Sequence, residues 1–281
     1  MDNLKVISLG LGQPSTTLYF MSSFGEVERA DYAIFADTGA EADKNYEYLE
    51  WLLKWADKNE GIPIIVTGKK TIYEDLIHGT KDNPNRFSSI PAYTKDDNDK
   101  IGILKRQCTD DYKVSEVNKA IREIHGLRKY QHTPKTELWL GITIEEVERV
   151  KYPRYKWQVY VYPFCNIKTH NGTANYSSFN TYYNRSNCIS WLERNNLPVP
   201  PTSTCYFCPF QSNYRWLELK KNRPKEWEKA VLLDKQIRDS SDKGIKYPIY
   251  LHRSGVPLDE VDLNEHQSGL FISECEGFCG L

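Results

Sequence analysis

Apolar residues fall along this chain in short runs separated by turn-forming residues and amphipathic stretches. Residues 5–9 form the first run and end in a glycine-rich turn, and residues 15–21 then read as a helix with Ser15 as its cap. A second run, 32–36, precedes Asp37-Thr38-Gly39 and a stretch that places Tyr46, Leu49, Leu52 and Leu53 on one side of a helix. Residues 62–67 and 136–140 give a third and a fourth strand, the fourth reached only after a long polar region. Strand, helix, strand, helix, strand with short connections predicts an α/β fold: a doubly wound, mostly parallel sheet with helices on both faces.

The rest of the chain is less regular. Residues 81–100, rich in Asn, Asp, Pro and Ser, read as an exposed loop, 114–124 as a helix, 157–164 as a strand and 168–187 as a loop or irregular hairpin. The remaining third is mostly helical, clearest at 188–194 and 213–237, and carries five of the seven cysteines. Two domains are therefore expected: an α/β domain over 1–165 and a cysteine-rich, mostly helical region over 166–281.

Composition narrows the class. Lys plus Arg is 37 and Asp plus Glu is 38, a net charge of −1 that argues against holding nucleic acid by bulk charge while leaving room for a local basic groove. No run approaches the ~20 apolar residues of a membrane helix, and the N-terminal segment has none of the parts of a signal peptide. A cytoplasmic protein with no membrane partner is expected. In a reducing compartment, closely spaced thiols are more often metal ligands or redox groups than disulfides.

Ser8-Leu9-Gly10-Leu11-Gly12-Gln13-Pro14-Ser15-Thr16 lies where the first strand hands over to the first helix. Glycines there let backbone N–H groups approach an anion at a helix N-terminus, although ordinary strand-to-helix turns use them too. Asp37-Thr38-Gly39 ends the next strand on the same edge, where open α/β sheets bind ligands.

These segments resemble, in order along nearly the whole chain, the PP-loop family, which includes phosphoadenylyl-sulfate and adenylyl-sulfate reductases, tRNA thiolation enzymes and the sulfurtransferase of DNA phosphorothioation. The family's Ser-x-Gly-x-Asp-Ser loop looks like residues 8–16, Phe35-Ala36-Asp37-Thr38-Gly39 is similar to the reductases' strand ending in Asp-Thr-Gly, and Leu140-Gly141-Ile142 with Arg149 resembles a later nucleotide-contacting segment. The loop's usual Asp before Ser15 is Pro14 here. The resemblance implies an adenine nucleotide α-hydrolase-like domain. It would bind ATP or phosphoadenylyl sulfate, optionally with magnesium, through Ser8, Gly10, Gly12, Gln13, Ser15, Thr16, Asp37, Thr38, Gly39, Gly141, Ile142 and Arg149.

Cys205-Tyr206-Phe207-Cys208 has the spacing that lets two sulfurs reach one metal centre; the alternative is two small buried hydrophobes. Cys275 and Cys279 form a second close pair near the end of the chain. Cys108 resembles a cysteine that joins a later pair in binding a [4Fe-4S] cluster in adenylyl-sulfate reductases, which have two adjacent cysteines where this chain has Gln107-Cys108. The candidate ligands are thus Cys108, Cys188, Cys205, Cys208, Cys275 and Cys279, holding a [4Fe-4S] cluster or zinc, while Cys165 reads as core. Glu274 to Leu281 also looks like the reductases' Glu-Cys-Gly-Leu terminus, which leaves Cys275 and Cys279 as ligands, as a catalytic thiol with its resolving partner, or as free thiols.

Around these motifs, Arg149 is the candidate oxyanion contact, Lys105, Arg106 and Lys113 flank Cys108, and His252 is either an acid/base group or a core histidine. Tyrosines alternate with basic residues from 152 to 162, a pattern that lines a sheet or stacks nucleic-acid bases.

The expected function is nucleotide-dependent sulfur chemistry. One version is an ATP-dependent sulfurtransferase that adenylates an acceptor, served by a sulfur donor. Another is a phosphoadenylyl-sulfate or adenylyl-sulfate reductase that releases sulfite, served by a thiol reductant protein. A metal-stabilised nucleotide-binding module without catalysis is the third. The acceptor is left open between nucleic acid, nucleotide and small metabolite.

Overall fold

The computed structural model describes residues 3–88 and 90–263. The chain begins β1 (Leu4–Ser8), α1 (Gln13–Ser23), β2 (Tyr32–Ala36), α2 (Asp43–Lys58), β3 (Ile64–Thr67) and α3 (Ile72–His78). Next come β4 (Tyr93–Lys95), β5 (Ile101–Ile103), a π-helical turn (Asp110–Val114) that runs into α4 (Ser115–Ile124), and β6 (Thr136–Leu140). After a 3₁₀ turn (Ile144–Arg149) follow β7 (Gln158–Tyr162), β8 (Ile167–His170), β9 (Thr173–Tyr176), α5 (Arg185–Arg194), α6 (Asn213–Asn222), α7 (Pro224–Gln236) and β10 (Ile249–Tyr250).

The main sheet has seven strands in the order β3-β2-β1-β6-β7-β8-β9. β3, β2, β1, β6 and β7 run parallel, and the β8–β9 hairpin continues the sheet antiparallel. Successive strand residues face opposite sides, so strands buried on both faces read as near-continuous apolar runs. Ile7, Phe35, Trp139 and Val161 pack under α1, α2 and α5, whereas Val6, Ile34, Leu138 and Tyr160 pack under α4. The expected α/β sheet with helices on both faces is what the chain forms.

The packing does not divide at residue 165. The hairpin β8–β9 belongs to the main sheet, and α5 lies against α1, with the Thr17 hydroxyl 3.3 Å from the Cys188 carbonyl oxygen. A third apolar cluster joins Ile72, Leu76, Phe87 and Tyr112 to Phe207, Trp216, Leu233 and Leu258. The expected C-terminal region is therefore divided between two cores, one of which it shares with residues 72–112. The segment 81–100, expected as an exposed loop, contains β4, which pairs with both β5 and β10. The helix expected over 213–237 breaks at Arg223, because Pro224 disfavours helical backbone before it and starts the next helix instead.

Strand order reverses direction between β1 and β6: the chain moves from β1 toward β3 on one side and from β6 toward β7 on the other. Loops leaving the two strands diverge there and open a crevice at their C-terminal ends.

Candidate nucleotide site and thiol turn

A cavity of about 160 Å³ occupies that crevice. Its floor is apolar, formed by Ile34, Val117, Leu138, Leu140 and Tyr160. One wall is the loop after β1, and the cations Lys113, Arg149 and Arg185 also line the cavity.

The loop is shaped by short contacts. Gly12, not Ser15, is the N-cap of α1, and no side chain caps the helix there. Ser15 sits inside the first turn: its hydroxyl donates to the Gly12 carbonyl and accepts the Gly10 N–H, each at 3.2 Å. Pro14 falls in the same first turn, where a missing N–H costs no helical hydrogen bond. The first N–H groups of a helix have no intrahelical acceptor, so the turn presents donors and the positive end of a dipole to the cavity.

Gly10 and Gly12 differ from the chain's packing glycines. A Cβ on Gly12 would meet nothing within 4 Å, and one on Gly10 only the Ser15 hydroxyl at 3.8 Å. A Cβ on Gly141, by contrast, would sit 2.6 Å from the Ser15 nitrogen, so β6 ends directly against the first turn of α1 only because residue 141 has no side chain. Packing explains Gly141; open space beside the backbone is what Gly10 and Gly12 provide. Between them, Leu11 holds a left-handed backbone (φ 56°) with its side chain buried.

Ser8, Gly10, Gly12, Gln13, Ser15, Gly141, Ile142 and Arg149 all line the cavity. Thr16 does not; it is fully buried behind the loop. Asp37, Thr38 and Gly39 do not line it either, because β2 contributes Ile34, Phe35 and Ala36 instead. The Asp37 carboxylate is engaged elsewhere: one oxygen accepts the Gly39 N–H and the Tyr46 hydroxyl, each at 2.8 Å, and the other lies 3.3 Å from Lys70 Nζ. It organises the turn after β2 and pushes the Tyr46 phenol pKa upward, together with burial as the main cause.

Three groups at the cavity were not part of the nucleotide set drawn from the sequence. Lys113, from the π-helical turn, reaches the buried Glu41 carboxylate at 3.4 Å, and Ser203 donates to the other Glu41 oxygen at 3.0 Å. Arg185 joins Arg149 on one Glu146 oxygen, at 3.3 Å and 2.8 Å. Residues 202–204 complete the rim. Arg185 carried a legible cue: a cation in the first turn of a helix opposes the dipole and calls for a nearby anion. Glu145 and Glu146 supply it, the former accepting the Arg185 N–H at 2.8 Å.

Residues 202–204 lead directly into Cys205. This cysteine forms a β-bridge with Glu41, and its sulfur lies 3.8 Å from the Thr38 hydroxyl. The Cys208 N–H donates to the Cys205 carbonyl at 3.0 Å, closing a tight turn between the two cysteines. Cys108 packs against the same apolar cluster as Cys205. Thiols on one tight turn suit a shared metal centre in donor type and spacing. Yet among the described residues no three of His, Cys, Asp and Glu are gathered to hold a metal ion. Cys275 and Cys279 lie outside the described residues.

Two cysteines fall away from this group. Cys188, a candidate ligand in the sequence, is fully buried between α5 and α1, where burial pushes its thiol up to about 12; it is a core residue. Cys165 is core as expected, its thiol donating to the Ile142 carbonyl at 3.3 Å and raised by burial to about 11. His252 is also buried. The Ser254 N–H donates to its Nδ1, which leaves the proton on Nε2 to reach Asn213 Oδ1 at 3.1 Å. Burial and Arg253 lower its pKa to about 4.

Among the described residues no helix is long and apolar enough to cross a membrane. No family model matches this chain, and no curated protein matches it.

Proposed function

We propose that the crevice binds an adenine nucleotide and that the protein carries out nucleotide-dependent sulfur chemistry as an ATP-dependent sulfurtransferase of adenine nucleotide α-hydrolase-like fold. One observation carries this reading: the rim of the glycine-loop cavity, residues 202–204, is continuous with the Cys205–Cys208 turn. The apolar floor suits a base, and the helix N-terminus with Lys113, Arg149 and Arg185 suits phosphates.

In this reading the cations hold the triphosphate while an acceptor oxygen attacks the α-phosphorus, forming an adenylated acceptor and releasing pyrophosphate. A sulfur nucleophile brought by a donor then displaces AMP. Cys205 and Cys208, with Cys108 and the terminal pair Cys275 and Cys279 as further candidates, would hold an iron–sulfur cluster or zinc. Such a centre, when bound, would supply a place to bind sulfur.

One observation favours the reductase reading as a second. Asp37 is tied to Gly39, Tyr46 and Lys70, and Pro14 replaces the loop acid, so the loop offers no carboxylate for a metal-assisted pyrophosphate cleavage. A phosphosulfate needs binding but no such cleavage.

Anaerobically prepared protein incubated with ATP and candidate acceptors should release pyrophosphate, and AMP once sulfide is added as the sulfur donor. Sulfite from phosphoadenylyl sulfate would select the reductase. Nucleotide binding without turnover of any adenylated substrate would leave only a binding module, and absence of nucleotide binding would end the proposal.

A further inference from the structure

A second cleft adjoins the first, with Val114 and Tyr160 lining both. Three cations line it, Arg106, Lys151 and Arg154, together with Tyr152 and Tyr155. Its one acid, Asp110, pairs with Arg154 at 3.1 Å in an exposed contact, the kind that exchanges readily for another anion. We infer that this cleft binds a single polynucleotide strand, with bases stacked on tyrosine and phosphates on the cations. Its assignment as the acceptor rests on the function proposed above.

Four features support a strand. Tyr152 and Tyr155 are 54% and 44% exposed, although bulky aromatic rings ordinarily bury most of their area. Tyr155 is held rather than loose: its ring stacks on Trp157, with centroids 6.0 Å apart and planes 18° from parallel. The segment carrying them has no regular structure, yet it is pinned at both ends. The Lys151 N–H and carbonyl both bond the Tyr162 hydroxyl, at 2.9 and 3.0 Å, and the Gln158 N–H donates to the Tyr155 carbonyl at 3.0 Å. Finally, basic and aromatic groups interleave, which suits a chain of alternating phosphates and bases; an acidic peptide offers the charges without the flat rings. The chain as a whole, at a net charge of −1, would not hold nucleic acid by bulk charge, so such binding needs a local gathering of cations like this one.

The test uses the whole protein and a fluorescent single strand of about a dozen nucleotides, as DNA and as RNA, with ATP affinity measured separately. Tyr155→Ala should weaken strand binding roughly tenfold, with Tyr155→Phe close to the parent, because stacking needs the ring and not the hydroxyl. Arg154→Gln should flatten the dependence of log K on log salt by about 0.7, the share of one phosphate contact on a single strand. Unchanged strand affinity in Tyr155→Ala, equal affinity for duplex, or equally effective competition by polyglutamate would each overturn the inference. Strand binding that survives while ATP fails to bind would instead sink the sulfurtransferase reading and leave the cleft standing.

Discussion

Lys113 Nζ lies 3.4 Å from the buried carboxylate of Glu41, and Ser203 bonds the other oxygen of the same carboxylate. One side chain thus ties the π-helical turn of the cavity wall to the segment entering the Cys205 turn. Unusual helical turns of this kind recur at functional sites, and here the turn is what brings a cation to the cavity that the glycine loop walls. Glu41→Ala should lower unfolding stability by about 2 kcal/mol, since it removes the acceptor for two groups at once. It should also raise the ATP dissociation constant roughly tenfold by releasing Lys113 from its position. Urea unfolding and calorimetric titration read the two effects separately. Lost stability with unchanged ATP affinity would remove Lys113 from the phosphate-binding set.

The glycines of the crevice should divide into two kinds. Gly12→Ala places its methyl in open space at an ordinary φ of −85°, so thermal stability should hold while nucleotide affinity falls. Gly141→Ala drives a methyl to 2.6 Å from Ser15 and should cost about 1–3 kcal/mol as α1 is pushed off β6. Melting curves and ATP titrations of both variants decide it. Equal ATP binding by Gly12→Ala and the parent would mean that the open space beside the loop serves no ligand.

Metal content should separate the cysteines. Cys205→Ser should lose iron or zinc from anaerobically prepared protein, whereas Cys188→Ala should keep it and lose about 1–2 kcal/mol of stability through a core void. Elemental and sulfide analysis of the two proteins is the check. Unchanged metal in Cys205→Ser would take that residue out of the ligand set.

Acid should act on His252. Its pKa in the fold, about 4, lies below the ordinary 6.5, so the unfolded chain takes up the proton first. Its contribution is complete above pH 6.5 and is lost as pH falls toward 4, by up to about 3 kcal/mol. Urea midpoints measured across that window should decline in the parent and more shallowly in His252→Gln. Parallel curves would show that the acid sensitivity has another source.

The apolar runs of β1, β2, β6 and β7 were legible because a strand buried on both faces is apolar at nearly every position, with polar residues such as Thr136, Glu137 and Gln158 kept to the strand starts. The glycine loop was legible for a similar local reason: strand, glycines and helix start are adjacent in sequence. Ser15 was misplaced by three positions, since a serine capping a helix and a serine folding back onto the loop before it look alike until the backbone is known. Asp37 was harder still, because whether its carboxylate faces a crevice or Lys70 depends on the path of a loop more than thirty residues away.

The amino-acid order by itself therefore determined the layered α/β core, the glycine-rich turn that opens the first helix, and the close spacing of Cys205 and Cys208, all of which follow from residues within one or two elements of each other. Tertiary structure alone decided that Cys188 is buried against α1, that Arg185 and Lys113 converge with Arg149 on one cavity, and that the thiol turn continues its rim. Those facts rest on contacts between segments far apart in the chain. No local pattern encodes such contacts, because they exist only once the sheet has brought the ends of β1 and β6 together.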